Sequence, residues 1–101
     1  MDVHITTRHC QLTDEEHQAA IKGAEYLDRF HHHILHVDVI ASEDAGIKNA
    51  EFTVKVQGHV VVAKESGDDY VKAIHDAREK VARQLKKLSD RQNDVRSAPL
   101  I

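Results

Sequence analysis

The chain is poor in the residues that carry most recognisable chemistry. Its 101 residues include one cysteine and no tryptophan, and the four glycines stand apart from one another. A lone Cys10 excludes an intrachain disulfide and a zinc site built from several thiolates. A reduced, cytoplasmic setting is the simplest expectation from that usage. Isolated glycines at 23, 46, 58 and 67 leave no glycine-rich loop to cradle a phosphate. No apolar run approaches the roughly 20 residues that span a bilayer, so no membrane partner is expected. Met1-Asp2-Val3-His4 does not open a signal peptide, lacking a basic start before an apolar stretch. Nor does any Ser/His/Asp or Cys/His order suggest nucleophilic catalysis. The expectation is therefore a protein that is not an enzyme, with no cofactor and no small-molecule substrate. Aromatics are limited to Tyr26, Tyr70, Phe30 and Phe52, so aliphatic side chains must fill the core.

What is present is enough for one globular domain. Apolar residues make up 41% of the chain, and a chain of this length buries roughly two-thirds of its unfolded surface. The net charge of −3 conceals a strong asymmetry. Residues 1–71 hold 6 basic and 13 acidic side chains, whereas residues 72–91 hold 7 basic and 3 acidic ones. A basic segment on an acidic body predicts a one-sided electrostatic surface.

Periodicity orders the elements. Residues 2–7 alternate, with Val3 and Ile5 inward, and predict a strand. Thr13 and Glu16 have capping-box spacing and start a helix from Asp14 to about Phe30, with Ala20, Ala24, Leu27 and Phe30 as its buried stripe. Gly23 weakens that helix by up to about 1 kcal/mol relative to alanine. Leu35, Val37, Val39 and Ala41 predict the inward side of a second strand, and Glu43 to Gly46 a turn. Phe52, Val54 and Val56 predict a third strand, and Val60 to Ala63 a short fourth one ended by Ser66-Gly67. A last helix is expected from about Asp69 to about Leu88, its stripe being Tyr70, Ile74, Ala77, Val81, Leu85 and Leu88. The order β-α-β-β-β-α implies an α+β fold, with a parallel first pair, antiparallel hairpins and both helices on one sheet face. The open face would carry His4, His36, Asp38, Glu51, Thr53, Lys55 and Gln57.

The functional signal is the last helix. Lys80, Arg83 and Lys87 recur at i, i+3 and i+7, with Lys72, Lys86 and Arg91 around them. Such a row can follow a phosphate backbone; it can also be a solvated helix face. The cluster His31-His32-His33 with His36 reads as cations near a helix C-terminus rather than as metal ligands, because consecutive residues there point apart. His4 and His36 are placed as neighbours on the outward face of parallel strands. Asp14-Glu15-Glu16 is explained by its position in a first helical turn, and Cys10 by a loop or partly buried thiol.

Several segments resemble a known family. They are Ile5-Thr6, Leu12-Thr13, Leu27-Asp28-Arg29-Phe30, Val37-Asp38-Val39, Asp69-Tyr70-Val71-Lys72-Ala73-Ile74 and, above all, Lys80-Val81-Ala82-Arg83-Gln84-Leu85-Lys86-Lys87. Together, over about residues 1–91, they resemble the bacterial ribosome hibernation factors, also labelled sigma-54 modulation or S30EA proteins. The resemblance implies a four-stranded sheet with two helices on one face, similar to double-stranded RNA-binding domains. It implies binding to the small ribosomal subunit and its rRNA between head and body, in the path of mRNA and tRNA, which inhibits translation in stress or stationary phase. The rRNA-binding positions it implies are Lys80, Arg83, Lys86 and Lys87; Lys72 and Arg91 join them from the helix face alone. Residues 1–91 would form the ribosome-binding domain and residues 92–101 a tail, as in a short form of the family, monomeric when free. A different class remains open: a regulatory or self-associating module that pairs with a partner through the polar sheet face or an edge strand.

The reading of the histidines is directly testable. Untagged protein is expected to retain no stoichiometric zinc or nickel after dialysis, measured by elemental analysis; a retained equivalent would make the cluster a metal site.

Overall fold

The computed structural model describes residues 1–30 and 33–97, the last seven of these by their backbone only. The chain folds as an α+β domain: β1 (Asp2–Arg8), α1 (Asp14–Tyr26), a 3₁₀ turn (Leu27–Arg29), β2 (Ile34–Asp44), β3 (Ile47–Val56), β4 (His59–Gly67) and α2 (Tyr70–Ser97). The sheet runs β1-β2-β3-β4, parallel at β1/β2 and antiparallel elsewhere. This is the expected order and class.

Local chemistry explains most of the boundaries. Thr13 Oγ1 accepts from the Glu16 amide at 3.1 Å, and Glu16 Oε1 accepts from the Thr13 amide at 2.8 Å. That reciprocal cap satisfies two otherwise orphaned donors at the start of α1. Asp69 caps α2 more simply, its Oδ1 accepting from the Val71 amide at 2.8 Å and satisfying one such donor. The β2–β3 turn is Ala45-Gly46, with φ of 51° and 79°. Two positive φ values match a hairpin turn whose twist suits the flanking strands. The strands consequently run closer to this turn than the sequence suggests, β2 to Asp44 and β3 from Ile47.

The core lies between the sheet and the helices. Val37, Val39, Phe52, Val54 and Val56 from the sheet join Ala20, Ala24 and Leu27 from the first helical segment. Tyr70, Ile74, Ala77, Val81 and Leu85 come from α2, as the stripe predicts. Gly23 has a use beyond its cost. A Cβ there would lie 3.3 Å from Phe52 Cζ, so glycine lets α1 settle against this fully buried ring. Tyr70 ties α2 to the sheet by donating its hydroxyl to the Ser42 carbonyl at 3.0 Å. Cys10, partly buried as expected, donates its thiol to the neighbouring Ala41 carbonyl at 3.4 Å.

Four expectations need correction. Leu35 is not inward but 51% exposed, and Ile34 is buried at 7% instead. A register shift between Ile34 and His36 inserts one residue and reverses the alternation. The first helix tightens into a 3₁₀ turn at Leu27 rather than running as α-helix to Phe30. β4 continues through Ser66 and Gly67, because pairing with β3 carries the register to Lys48↔Gly67 and Ser66 donates to Asn49 Oδ1 at 2.6 Å. Finally, α2 reaches Ser97 rather than Leu88. His31, His32 and residues 98–101 lie outside the described residues.

Tyr70 generates a pH prediction. Burial, followed by the adjacent Cys10 thiol, pushes its phenol well above the ordinary value of 10.0. The fold thus favours the protonated ring, and this contribution is complete below pH 10. Above it the unfolded chain releases a proton that the native one retains, so stability falls. Urea denaturation on either side of pH 10 is expected to show that fall in the parent and a smaller one in Tyr70→Phe.

Candidate nucleic-acid interface

The buried stripe of α2 decides what its outer face presents. With Ile74, Ala77, Val81 and Leu85 fixed against the sheet, residues two positions away must point outward. Lys72, Lys80, Arg83, Lys86 and Lys87 are all exposed. From Lys72 to Lys87 this row follows about 22 Å of helix axis. Arg91 continues the same helix by its backbone, and its side chain lies outside the described residues.

These cations are not equivalent. Lys80 Nζ makes an ion pair with Glu65 Oε1 on β4. The flank of α2 above β4 therefore carries one compensated cation, Lys80, followed by Gln84 and Lys87. These last two line a cleft with His59, Val60, Val61 and Leu88. Lys72, Arg83 and Lys86 lie on the side of the helix turned away from the sheet. Asp76, Glu79 and Asp90 interleave with them, so this side of the helix is of mixed and balanced sign, and the basic excess of the outer surface comes from Lys80 and Lys87.

The opposite flank of α2 meets α1 through a cation the sequence reading did not single out. Arg78 places its guanidinium 4.1 Å from the centroid of the Tyr26 ring, and Nη2 donates to Glu79 Oε1 at 2.6 Å. Arg29 approaches the same ring at 5.3 Å. Phe30 packs edge-on to it with centroids 5.2 Å apart. Arg78 is mostly covered, and its Nε has no hydrogen-bond partner among the described residues. It is a seam residue joining the helices by a cation–π contact. Its charge pattern alone resembles that of its exposed neighbours; only its three-residue offset from Val81, on the α1 side, could have separated it.

The open sheet face collects the second group of polar residues. The His4 and His36 rings lie 4.9 Å apart, as their placement on parallel strands predicts. His36 Nε2 is 3.0 Å from Asp38 Oδ1. Among the described residues no group of three or more His, Cys, Asp or Glu side chains is arranged to hold a metal ion. No described helix is long and apolar enough to cross a membrane.

Comparison with known proteins converges on one family. Residues 3–93 match the family model described as sigma 54 modulation protein / S30EA ribosomal protein. No curated protein matches the sequence. Among solved structures, the chain is similar to the N-terminal domain of Thermus thermophilus Protein Y. That likeness has a TM-score of 0.78 at 26% identity, covering 87% of this chain and 99% of that one. A ribosomal subunit interface protein from Coxiella burnetii shares the fold, with a TM-score of 0.78 at 20% identity over 89% of this chain and 99% of that one.

The Lys80–Glu65 pair makes a prediction about the basic row. Glu65→Gln removes the carboxylate and leaves the Lys80 ammonium free, at a stability cost of about 1 kcal/mol or less for a surface pair. The variant is expected to elute from heparin at higher salt than the parent. Unchanged elution would place Lys80 outside the polyanion-binding surface.

Proposed function

Because the chain belongs to the sigma 54 modulation protein / S30EA ribosomal protein family, we propose that it is a ribosome hibernation factor. In this reading it binds the small ribosomal subunit through rRNA phosphates, lies in the channel used by mRNA and tRNA, and inhibits translation. The observation that carries the reading is the exposed row Lys72, Lys80, Arg83, Lys86 and Lys87 on one long helix, in a chain that is otherwise acidic. Phosphate contacts fix register and orientation without requiring base recognition, which suits a factor that plugs a channel. Arg91 is proposed as the next contact from its place in the helix. The similarity to a ribosomal subunit interface protein points the same way. The mechanism is occupancy and involves no bond making or breaking.

The acidic body has a physical part in this proposal. Asp14, Glu15, Glu16, Asp28, Asp44 and Asp68 carry charge that phosphate would repel. Repulsion at these carboxylates and attraction at the α2 row restrict the orientation in which the domain approaches a polyanion. Affinity then rests on the phosphate contacts of the α2 cations, so it should fall as salt rises with a slope set by their number.

Charge reversal tests the proposal. The parent is expected to cosediment with purified small subunits at low salt and to inhibit a reconstituted translation system. Replacing Lys80, Arg83 and Lys87 together by Glu is expected to abolish cosedimentation while circular dichroism stays native, since all three lie off the buried stripe. Each lost phosphate contact should flatten the salt dependence by about one unit of slope. Leu85→Ala is the opposing control: Leu85 is fully buried, so it should cost roughly 2–5 kcal/mol of stability. A folded triple variant that binds like the parent would reduce the row to a solvated face.

A further inference from the structure

The two edges of the sheet are treated differently. At the β1 edge, the residues on the open face are Asp2, His4, Thr6 and Arg8, all polar. At the β4 edge they are Val60, Val62, Lys64 and Ser66. Val60 is 60% exposed and Val62 49%, both beyond what their aliphatic side chains favour. The turn Gln57-Gly58 closes the hairpin at Val56↔His59, so alternate residues from His59 bond to β3. The amides and carbonyls of Val60, Val62, Lys64 and Ser66 therefore point away from the sheet. Edge strands are ordinarily guarded by charge. Lys64 guards the second half of β4 in this way, and His59 to Val62 has no such guard on the open face.

The helix side of this half-edge has a different chemistry. A cleft of about 250 Å³ lies between the start of β4 and α2, lined by His59, Val60, Val61, Gln84, Lys87 and Leu88. Lys87 is its fixed cation, and among the described residues no carboxylate lines it. An extended strand added at Val60–Val62 would direct alternate side chains to two unlike surroundings. One set would lie beside Val60 and Val62; the other would face the cleft and Lys87.

We propose that the His59–Val62 half of β4 is a docking edge for an extended peptide in which apolar and acidic residues alternate. The peptide adds a fifth strand: its main chain bonds to Val60 and Val62, its apolar side chains cover those valines, and its carboxylates meet Lys87. Charge selects this occupant over a second copy of the chain. A two-fold pairing of β4 strands would bring the Lys87 cations of two α2 helices side by side, which like charge opposes; Lys80 is already compensated by Glu65 and adds little. The site is independent of the ribosome-binding reading, although Lys87 belongs to both surfaces.

The test uses the full chain and a capped Val-Glu repeat peptide of eight residues, with a peptide of the same composition in two blocks, four valines then four glutamates, as control. The alternating peptide is expected to bind at least ten-fold more tightly than the block peptide in fluorescence anisotropy. Hydrogen exchange of the Val60 and Val62 amides is expected to slow on binding. Val62→Lys, at an exposed position, is expected to weaken binding at least ten-fold with an unchanged native spectrum. Equal binding of the two peptides, unchanged exchange at Val60 and Val62, or no binding at millimolar peptide would each overturn the proposal. So would a dimer of the free protein in sedimentation velocity that Val62→Lys dissolves, which would make the occupant a second copy. No ribosome enters the experiment, so its outcome is separate from that of the proposed function.

Discussion

Everything on the surface of this protein depends on how α2 seats its apolar stripe. Tyr70, Ile74, Ala77, Val81 and Leu85 occupy successive turns and are buried against the sheet. Burying side chains of this size contributes roughly 1.5–3 kcal/mol each for the larger ones, so a rotation of the helix would be costly at every turn at once. The stripe thus sets the azimuth of each remaining residue. It places Arg78 against Tyr26, Lys80 above Glu65, Lys87 over the start of β4, and Lys72 and Arg83 into solvent. Tyr70 adds a single hydrogen bond that pins the first turn, and Asp69 caps it. No individual cation needs a dedicated support, because one apolar contact surface positions them all.

Distance decides how strongly the acidic residues act on the basic row. At physiological ionic strength, exposed charges more than about 8 Å apart are largely screened from each other. A phosphate in contact with the α2 row therefore responds mainly to the charges next to it, and more distant carboxylates act on the approach of a polyanion rather than on that contact. Net charge is a poor guide for this chain, and the balance within one helix face is a better one. Glu65 is the exception, since it is in contact with Lys80 and compensates that cation locally.

The sequence was legible wherever one local rule acted alone. The Thr13–Glu16 capping box, the alternation in β3 and the stripe of α2 all depend on neighbours within a few residues, and all appear as expected. The failures share a cause. Leu35 is exposed because of a bulge defined only by the partner strand. Ser66 and Gly67 look like a strand terminator, yet β3 holds them in register. Gly23 looks like a weak point in a helix until Phe52 is placed across from it. In the same way, the basic row was visible from spacing, whereas its two modifiers were not. Compensation of Lys80 by Glu65 needs the β4 register and the helix azimuth together. The withdrawal of Arg78 from the row needs α1.

The unequal edges of the sheet follow from the order of its strands. A parallel β1/β2 pair requires the crossover helix α1, which occupies the sheet near β1 and leaves α2 for β3 and β4. The outer strand β4 then lies under a helix whose outer flank is basic. On that side its first half is bordered by Lys87, the cation of that flank that Glu65 does not compensate, and on the other by solvent. A strand in this position can be protected from self-pairing by the charge of the helix rather than by its own residues, because any second copy brings the same charge with it. That protection fails against a strand of opposite charge. A single device, the basic flank of α2, would then discriminate between copies of the chain and acidic partners, and this accounts for valines remaining exposed at Val60 and Val62 where an unaccompanied edge strand would carry lysine or proline.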